Sequence, residues 1–278
     1  MLADMRKVTI TGASGFVGKN LVAKLKDERG VEVAIFNFKR NSIFRPKTLR
    51  ELMEGSSVIY HLAAVNDPKD PGILKTNILG TWGVLEAARR YASTSKVVFA
   101  SSFAVYKTPL LGEVVDERFA TFPRNIYGFT KLVGEKLCLF YSKVFGMRVA
   151  IARISNIYGP GMPPFKHSVV STFIERISNR KGIEISGSGE QTRDFIYVDD
   201  VLDALIVMGD KDKPIGVFNI CSGEAVSINN LVEIIEEKFK KKTKKIYKKE
   251  GDEGGYWRGD NRKASKLLLW RPRHKFKL

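Results

Sequence analysis

The sequence predicts an α/β protein with a doubly wound parallel sheet and a small C-terminal substrate domain. Three observations carry this prediction. A glycine-rich turn near the N-terminus separates an apolar run from a segment with helical periodicity. Further near-continuous apolar runs then alternate with helical patterns, as expected for parallel strands that are buried on both faces. After Ile154 this alternation gives way to shorter segments and irregular loops, which indicates a second, smaller unit.

The glycine-rich turn follows the first apolar run and has the sequence TGASGFVG. Gly12 permits a tight turn, Gly15 lets the backbone approach a diphosphate, and Gly18 lets the helix pack close to the strand. The N–H groups of the first helical turn, which includes Phe16 and Val17, then face the anion. A glycine turn that binds nothing is the alternative, and the flanking strand and helix favour a dinucleotide site.

The other elements follow in order along the chain. Apolar runs predict strands at residues 8–10, 31–36, 58–64, 96–100, 148–153, 183–185 and 217–220. Helical periodicity predicts one brief helix around Leu49 and Met53, and longer helices at residues 77–90, 125–145, 169–180 and 228–239. Another helix is expected to run through Val207, capped by Asp199 or Asp200, and Ser227 is expected to cap the last helix.

The composition is that of a globular chain. With 278 residues and 44% hydrophobic side chains, it can form one large α/β domain or one and a half smaller ones. Cys138 and Cys221 are the two cysteines, so no disulfide framework is implied. No apolar run approaches the ~20 residues of a membrane-spanning helix, and the N-terminal residues lack the apolar core of a signal peptide. We therefore expect a cytoplasmic protein with no membrane partner.

The net charge is +17, from 47 Lys and Arg residues against 30 Asp and Glu residues. Such a field attracts anions, among them nucleic acid, anionic lipid and phosphorylated metabolites. The densest basic run, residues 238–249, follows a helical pattern and is typical of a solvated helix end. A nucleic-acid surface more often interleaves aromatic side chains with the charge. We expect no nucleic-acid partner, and a nucleic-acid-binding or regulatory protein of the same fold is the competing hypothesis.

The end of the second predicted strand bears on the cofactor. Dinucleotide folds usually place an acid there to hold the ribose hydroxyls, but this chain has Asn37, followed by Lys39 and Arg40. Two bases without the acid would suit a 2′-phosphate and hence NADP. Two exposed basic residues in a turn are an equally good interpretation, and both stay open.

Tyr127 and Lys131 lie four residues apart on a predicted helix and therefore share one face. An ammonium beside a phenol favours the phenolate and lowers the pKa of the phenol. Tyr127 is then a candidate general base for an alcohol that loses hydride from the same carbon. Ser102, at the end of a predicted strand, can hydrogen-bond the same oxygen. The pair alone is a weak signal, but it gains weight after a glycine-turn unit.

Together these segments resemble the extended short-chain dehydrogenases/reductases of the nucleotide-sugar epimerase/dehydratase family. The matching pieces occur in family order, at residues 11–18, 61–64, 101–106, 127–131, 153–161, 192–200 and 260–272. The resemblance implies a Rossmann domain at residues 1–155 with about 194–220. It implies a sugar-nucleotide domain at about 156–193 and 221–278, and a homodimer through helices 77–90 and 125–145.

The resemblance also implies NAD as the cofactor and a nucleoside-diphosphate sugar as the substrate. The catalytic roles fall on Ser102, Tyr127 and Lys131, and Lys131 would also hold the nicotinamide ribose. The cofactor contacts it implies are Gly12, Gly15, Phe16, Val17, Gly18, Asn37, Lys39, Arg40, Ala63 and Lys131. The substrate contacts it implies are Asn77, Asn156, Arg193, Lys249 and Asp252.

Several of these residues have simpler interpretations. Asn156 could cap a turn, Asn77 could begin a helix, and Arg193 could pair with Asp194, although a guanidinium fork suits a diphosphate well. His61 has no neighbours at metal-ligand spacing, so we expect a packed core histidine and no metal site. Lys249 stands where many epimerases have a phosphate-binding arginine.

The chain also departs from the family pattern. The ribose-binding acid is replaced by Asn37, and the span from there to His61 is too short for the further helix and strand that relatives have. Lys107 replaces a usual glycine. These departures bear on cofactor preference more than on the class of reaction.

The two residues after Ser102 bear on the reaction itself. Dehydratases and decarboxylases of the family place acids there, whereas this chain has Phe103 and Ala104, which cannot move a proton. The expected reaction is therefore C4 epimerisation of a UDP-sugar through a 4-keto intermediate. A 4-keto-sugar reductase or a dehydratase remains the alternative, with Glu113 or Asp116 as the acid supplied from elsewhere.

Overall fold

The computed structural model describes residues 5–36, 46–162, 168–249 and 254–278. The strands of this part of the chain are β1 (Arg6–Thr11), β2 (Val31–Ile35), β3 (Ser56–His61), β4 (Lys96–Ser102), β5 (Arg148–Ile154), β6 (Asn156–Tyr158), β7 (Ile183–Ser186), β8 (Thr192–Arg193), β9 (Phe195–Tyr197), β10 (Gly216–Ile220), β11 (Val226–Ser227) and β12 (Lys245–Lys248). The helices are α1 (Phe16–Lys26), α2 (Pro46–Met53), α3 (Gly80–Tyr91), α4 (Ile126–Phe145), α5 (Val169–Ser178), α6 (Val198–Gly209), α7 (Ile228–Phe239) and α8 (Arg262–Leu268). A π-helical turn at Lys75–Leu79 leads into α3, and a 3-10 turn at Phe103–Val105 follows β4.

Six strands form one sheet in the order β10-β5-β4-β3-β1-β2, and every neighbouring pair is parallel. The fold class predicted from the alternating apolar runs is confirmed. The shorter strands pair two by two: β6 with β9 and β7 with β12 in parallel, and β8 with β11 antiparallel.

Alternate residues of each strand feed two apolar cores, one on each face of the sheet. On one face, α1, α6 and α8 cover Val98 and Ala150. On the other face, α2, α3 and α4 cover Val97 and Phe99. Successive side chains of a strand point to opposite faces, so a strand that lies between two helical layers must be apolar at nearly every position. This is why the predicted strands appeared as continuous apolar runs.

A third apolar cluster joins the later elements. It includes Tyr158, Phe173, Leu231 and Phe276, from β6, α5, α7 and the C-terminal segment. The ring of Phe276 lies 4.8 Å from that of Tyr158 and 4.9 Å from that of Phe195. The last residues of the chain therefore close the core of this second group of elements.

The prediction that Asp199 or Asp200 caps α6 was wrong. The N-cap is Tyr197, with no capping side chain, and both acids lie inside the first turn. Asp199 is exposed, whereas Asp200 is 1% exposed and accepts hydrogen bonds from the C-terminal segment. Its carboxylate binds the backbone N–H groups of Arg273 (2.9 Å) and His274 (3.1 Å) and the His274 ring (3.0 Å). The carboxylate of Asp200 therefore serves as an acceptor for residues more than 70 positions later in the chain.

The different surroundings of these two acids give a stability prediction. Asp200→Ala should lower the free energy of unfolding by about 2–4 kcal/mol, because it removes a buried carboxylate that accepts three hydrogen bonds from the C-terminal segment. Asp199→Ala is the matched control, since it also removes an acid from the first turn of α6. The loss of its interaction with the helix dipole should lower the free energy of unfolding by less than about 1 kcal/mol. Urea unfolding of both variants measures the difference, and equal losses would contradict this assignment.

The basic run 238–249 is only partly a helix end. Helix α7 ends at Phe239, with Lys240 in the left-handed conformation, and Lys245–Lys248 then forms β12 beside β7. The prediction of a solvated helix end was therefore wrong for this strand. Its pairing partner lies some 60 residues earlier in the chain, which local composition does not reveal.

Candidate active site

The glycine turn between β1 and α1 has the shape that a diphosphate needs. Gly12 has a φ of +76°, and a Cβ added to it would lie 2.5 Å from the backbone nitrogen of Ala63. A Cβ on Gly18 would overlap the carbonyl oxygen of Gly12. The N–H of Gly15 donates to that same carbonyl at 3.0 Å and so closes the turn.

The N-terminus of α1 is left open to a ligand. Its N-cap is Gly15, which has no side chain to cap the helix, and the first turn contains no acid. Phe16 and Val17 begin the helix and pack partly against the core. The N–H groups of a first helical turn have no partner within the helix and point out of its N-terminus. An uncapped helix N-terminus beside a glycine turn suits an anion such as a dinucleotide diphosphate. These residues fit the cofactor that the sequence predicts.

Helix α4 begins directly against the end of β4. The side chain of Asn125 caps the helix by accepting the N–H of Gly128 at 2.8 Å. A Cβ on Gly128 would overlap the carbonyl oxygen of Ala104, so the helix packs backbone to backbone on the turn that follows Ser102. This close approach brings the phenol of Tyr127 to Ser102, and a hydrogen bond joins the two side chains.

Lys131 lies one helical turn after Tyr127 and is 4% exposed. Its ammonium is 4.9 Å from the centre of the Phe99 ring on β4. Burial lowers the pKa of Lys131 to about 8, against the opposing influence of Cys138 and Glu135. At neutral pH the side chain therefore remains mostly charged, in surroundings largely shielded from water.

The expected lowering of the pKa of Tyr127 by Lys131 was wrong. Burial raises the pKa of Tyr127 to about 12, and the hydrogen bond from Ser102 opposes that rise. Desolvation disfavours the charged phenolate, and it is the largest influence on this group. The phenol is therefore protonated at neutral pH in the protein alone.

The residues predicted to contact substrate have different surroundings. Arg193 donates to the carbonyl oxygens of Thr192 (2.7 Å) and Gly255 (3.2 Å). The segment that begins at residue 254 therefore contacts its guanidinium. Asn156 is exposed and donates to the carbonyl of Asp194 at 3.2 Å. Lys249 is exposed at the end of β12. The structure thus places Arg193 on β8 and Asn156 on β6, where Asn156 bonds Asp194, the residue that follows Arg193.

Asn77 has a structural task. Its amide oxygen accepts the N–H of Val65 at 2.8 Å, and its amide nitrogen donates to the carbonyl of Val65 and to Thr130. It is 2% exposed. These bonds tie the loop after β3 to α4, and a direct contact between Asn77 and substrate stays a prediction. Asn37, Lys39, Arg40 and Asp252 lie outside the described residues.

A buried carboxylate that could not be recognised from the sequence lies next to Arg193 in the chain. Asp194 is 0% exposed and accepts hydrogen bonds from Ser155, from Ser222 and from the N–H groups of Gly223 and Gly259. Its partners are scattered over a long stretch of sequence, so no local pattern marks it. Burial raises the pKa of Asp194 even against these hydrogen bonds.

The sequence profile of the NAD dependent epimerase/dehydratase family matches residues 8–221. This chain belongs to that family. It is 33% identical to a putative UDP-glucose 4-epimerase of Methanocaldococcus jannaschii, over 95% of this chain and 93% of the relative. It is 29% identical to UDP-glucuronic acid decarboxylase 6 of Arabidopsis thaliana, over 98% of this chain and 85% of the relative.

A solved structure of the family has the same architecture. The UDP-glucuronic acid 4-epimerase of Bacillus cereus, in complex with UDP-glucuronic acid and NAD, superimposes with a TM-score of 0.87. The two proteins are 29% identical, and the match covers 97% of this chain and 95% of that one. The family resemblance drawn from the motifs is confirmed.

The described part of the chain contains no helix long and apolar enough to cross a membrane. The same residues include no group of three or more His, Cys, Asp or Glu side chains that could hold a metal ion. His61, which was the candidate weighed from the sequence, is 1% exposed and bonds Thr11 (2.7 Å) and Thr81 (2.9 Å) through its two ring nitrogens. It packs as a core side chain behind the glycine turn of this family member.

His61 should make the stability of the protein depend on pH. Burial, and then the charge of Lys131, lowers its pKa from 6.5 to about 3. Between these values the unfolded chain binds a proton that the folded protein does not, so stability falls as the pH falls. His61→Gln removes this titration, and its free energy of unfolding should depend less steeply on pH, by up to about 1.4 kcal/mol per unit.

Urea unfolding at pH 4.5, 5.5 and 6.5 measures both slopes. The carboxylates titrate in both proteins, so their contribution cancels in the comparison. Equal slopes would show that His61 does not carry the effect.

Proposed function

We propose that this chain is a nucleotide-sugar C4 epimerase that acts on a UDP-sugar through transient oxidation to a 4-keto intermediate. The observation that carries the proposal is the chemistry of the two residues after Ser102. Phe103 is 4% exposed and packs against Tyr106 and Trp257, and Ala104 has no functional group. Neither can deliver or remove the additional proton that an elimination across C5 and C6 needs.

The nearby acids are engaged elsewhere, which also supports epimerisation. Glu113 accepts the N–H of Leu110 at 2.7 Å, within its own loop. Asp116 accepts the N–H and the guanidinium of Arg118. Both acids that could have replaced the missing pair are therefore bound in local turns.

The described residues can each be given a task in this reaction. The glycine turn would hold the nicotinamide cofactor, which would supply reversible hydride transfer at the sugar carbon. Tyr127 first gives its own phenolic proton to solvent, then takes the proton of the C4 hydroxyl as the phenolate and later returns it. Ser102 contacts the phenol and orients its oxygen. Lys131 places a positive charge one turn behind Tyr127, which favours the phenolate as it forms.

We assign the binding roles from the same geometry. The glycine turn, with Gly12, Gly15 and Gly18, would hold the diphosphate of NAD, the cofactor present in the complex of the related epimerase. Arg193 and Asn156 would contact the sugar nucleotide, in a substrate domain at about 156–193 and 221–278. The choice between NAD and NADP rests on Asn37, Lys39 and Arg40, which are outside the described residues.

The test is incubation of the purified protein with UDP-glucose, UDP-galactose and UDP-glucuronate, with the products followed by proton NMR. We expect interconversion of C4 epimers from at least one of these sugars. Release of carbon dioxide from UDP-glucuronate would indicate the decarboxylase activity named for some relatives. A 4-keto-6-deoxy product would indicate a dehydratase, and oxidation or reduction in proportion to added cofactor would indicate a reductase.

We also propose a homodimer through α3 and α4. Their outer faces expose large apolar side chains, namely Trp82, Phe129, Leu139, Phe140, Val144 and Phe145. A run of exposed aromatic and aliphatic side chains along two adjacent helices is unusual on a surface that meets only water. Sedimentation should give the mass of two chains, and Phe140→Glu should give the mass of one folded chain. Ile215→Glu is the control, because Ile215 is similarly exposed but lies next to β10.

A further inference from the structure

A buried ion pair lies behind the proposed catalytic residues and has no role in the mechanism above. Arg153 on β5 donates hydrogen bonds to the carboxylate of Glu135 on α4, from Nε to Oε1 at 2.9 Å and from Nη2 to Oε2 at 2.7 Å. The two side chains are 7% and 1% exposed. The hydroxyl of Ser101 donates to the same carboxylate at 2.5 Å.

Stability alone does not explain this pair. Burying two charges costs desolvation energy that their attraction often fails to recover, and apolar replacements are frequently as stable. Cys138 and Tyr141 on α4 and Val149 and Ile151 on β5 belong to the apolar core on this face of the sheet. A charged pair kept in such a core suggests a task beyond packing.

The location of the pair points to that task. Glu135 is one helical turn after Lys131, on the same face of α4, where side chains four residues apart are neighbours. Arg153 fixes the carboxylate from β5 and Ser101 fixes it from β4, the strand that also carries Ser102. The pair therefore ties the helix that presents Tyr127 and Lys131 to the strand ends around the site.

Cys138 and Glu135 both oppose the lowering of the Lys131 pKa by burial, and of these two Glu135 is the carboxylate. His61 faces Lys131 from β3, and burial keeps that imidazole neutral at ordinary pH by lowering its pKa to about 3. Phe99 faces it from β4 with an uncharged ring. On α4 itself, burial raises the pKa of the Cys138 thiol and that of the Tyr127 phenol, so both remain protonated.

We propose that Glu135, held by Arg153 and Ser101, is a positioning residue that keeps the ammonium of Lys131 charged and in place behind Tyr127. The catalytic meaning of this inference rests on the proposed function. Its physical content, a coupling between the charge of Glu135 and the titration of Lys131, does not.

The coupling can be measured without turnover. Protein containing carbon-13-labelled lysine gives a Lys131 signal that Lys131→Arg identifies, and its shift against pH gives the pKa. Glu135→Gln keeps the shape but loses the charge, so the titration of Lys131 should move down by about one pH unit or more, as for unit charges one helical turn apart. Glu135→Asp keeps the charge and should leave the titration close to that of the parent protein.

Glu135→Gln leaves Arg153 buried without its partner and could fail to fold. In that case the double variant Glu135→Gln with Arg153→Met removes both charges, and the titration of Lys131 should still move down, by a smaller amount. An unmoved titration in whichever of these variants folds would overturn the inference, because a merely structural pair would change stability alone.

Kinetics then separate the inference from the proposed function. If the protein epimerises a UDP-sugar, the alkaline limb of kcat/KM should move to lower pH in Glu135→Gln and return in Glu135→Asp. Movement of the Lys131 titration without any epimerase activity would support the coupling and refute the proposed function. Epimerase activity with an unmoved Lys131 titration would support the proposed function and refute the coupling.

Discussion

Tyr127→Phe is expected to lower kcat for epimerisation by about 10³–10⁴-fold, the upper part of the range for general acid–base groups. The phenol is the group that the structure brings into hydrogen-bond contact with Ser102 at the start of α4. Removing its hydroxyl leaves the ring and its packing but removes the proton acceptor. Steady-state kinetics with the best UDP-sugar measure the loss.

Tyr141→Phe is the matched control for this variant. Tyr141 lies on the same helix and donates to Glu86 at 3.0 Å, so the control also loses one phenolic hydroxyl. We expect kcat within a few-fold of the parent protein. If Tyr127→Phe behaved like this control, Tyr127 would not be the general base.

Gly18→Ala is expected to abolish dinucleotide binding and to lower the free energy of unfolding by about 3 kcal/mol, the upper end for an overpacked site. The new Cβ would overlap the carbonyl oxygen of Gly12 and lie 2.8 Å from the Cα of Ala13. Both are backbone atoms and cannot rotate away, so the turn must open and lose the shape that suits a diphosphate.

Gly30→Ala separates the loss of a glycine from the loss of the site. Gly30 has a φ of +76° but open space around it, so the substitution should cost about 1–2 kcal/mol of backbone strain. Binding of NADH, followed by titration calorimetry, should be unchanged in Gly30→Ala and absent in Gly18→Ala. Equal binding by the two variants would contradict the assignment of the turn as the diphosphate site.

Most of the sheet and the helices around it could be predicted because their signals are local. The helix predicted at residues 125–145 has its N-cap at Asn125 and ends at Phe145, since Asn125 and Gly146 supply standard start and stop conformations. The parallel strands were recognisable because burial on both faces leaves almost no polar position. Ser227 caps α7 as predicted, through a bond to the N–H of Asn230.

The errors share a physical cause, which is contact across a long distance in the sequence. Asp199 and Asp200 look equivalent in the chain, and only the returning C-terminal segment makes one of them a buried acceptor. The pairing of β12 with β7 likewise depends on a distant strand.

In the candidate site, too, local features could be predicted from the sequence and features that depend on distant contacts could not. Its residue types and spacing could be predicted, because Tyr127 and Lys131 share a helix face. The pKa of Tyr127 could not, because it depends on burial by elements that pack on α4 from elsewhere. Arg153 at the end of an apolar strand was a visible signal for the buried ion pair, but its partner became clear only in the structure.

The most direct test of the proposed C4 epimerisation uses UDP-galactose that carries deuterium at C4. The account predicts UDP-glucose with the deuterium still at C4, in ordinary water and with unlabelled NADH added to the solution. Mass spectrometry and proton NMR of the product measure this retention. Loss of the deuterium to water or to the added cofactor would contradict it, as would the absence of a C4 epimer from all three of the UDP-sugars named above.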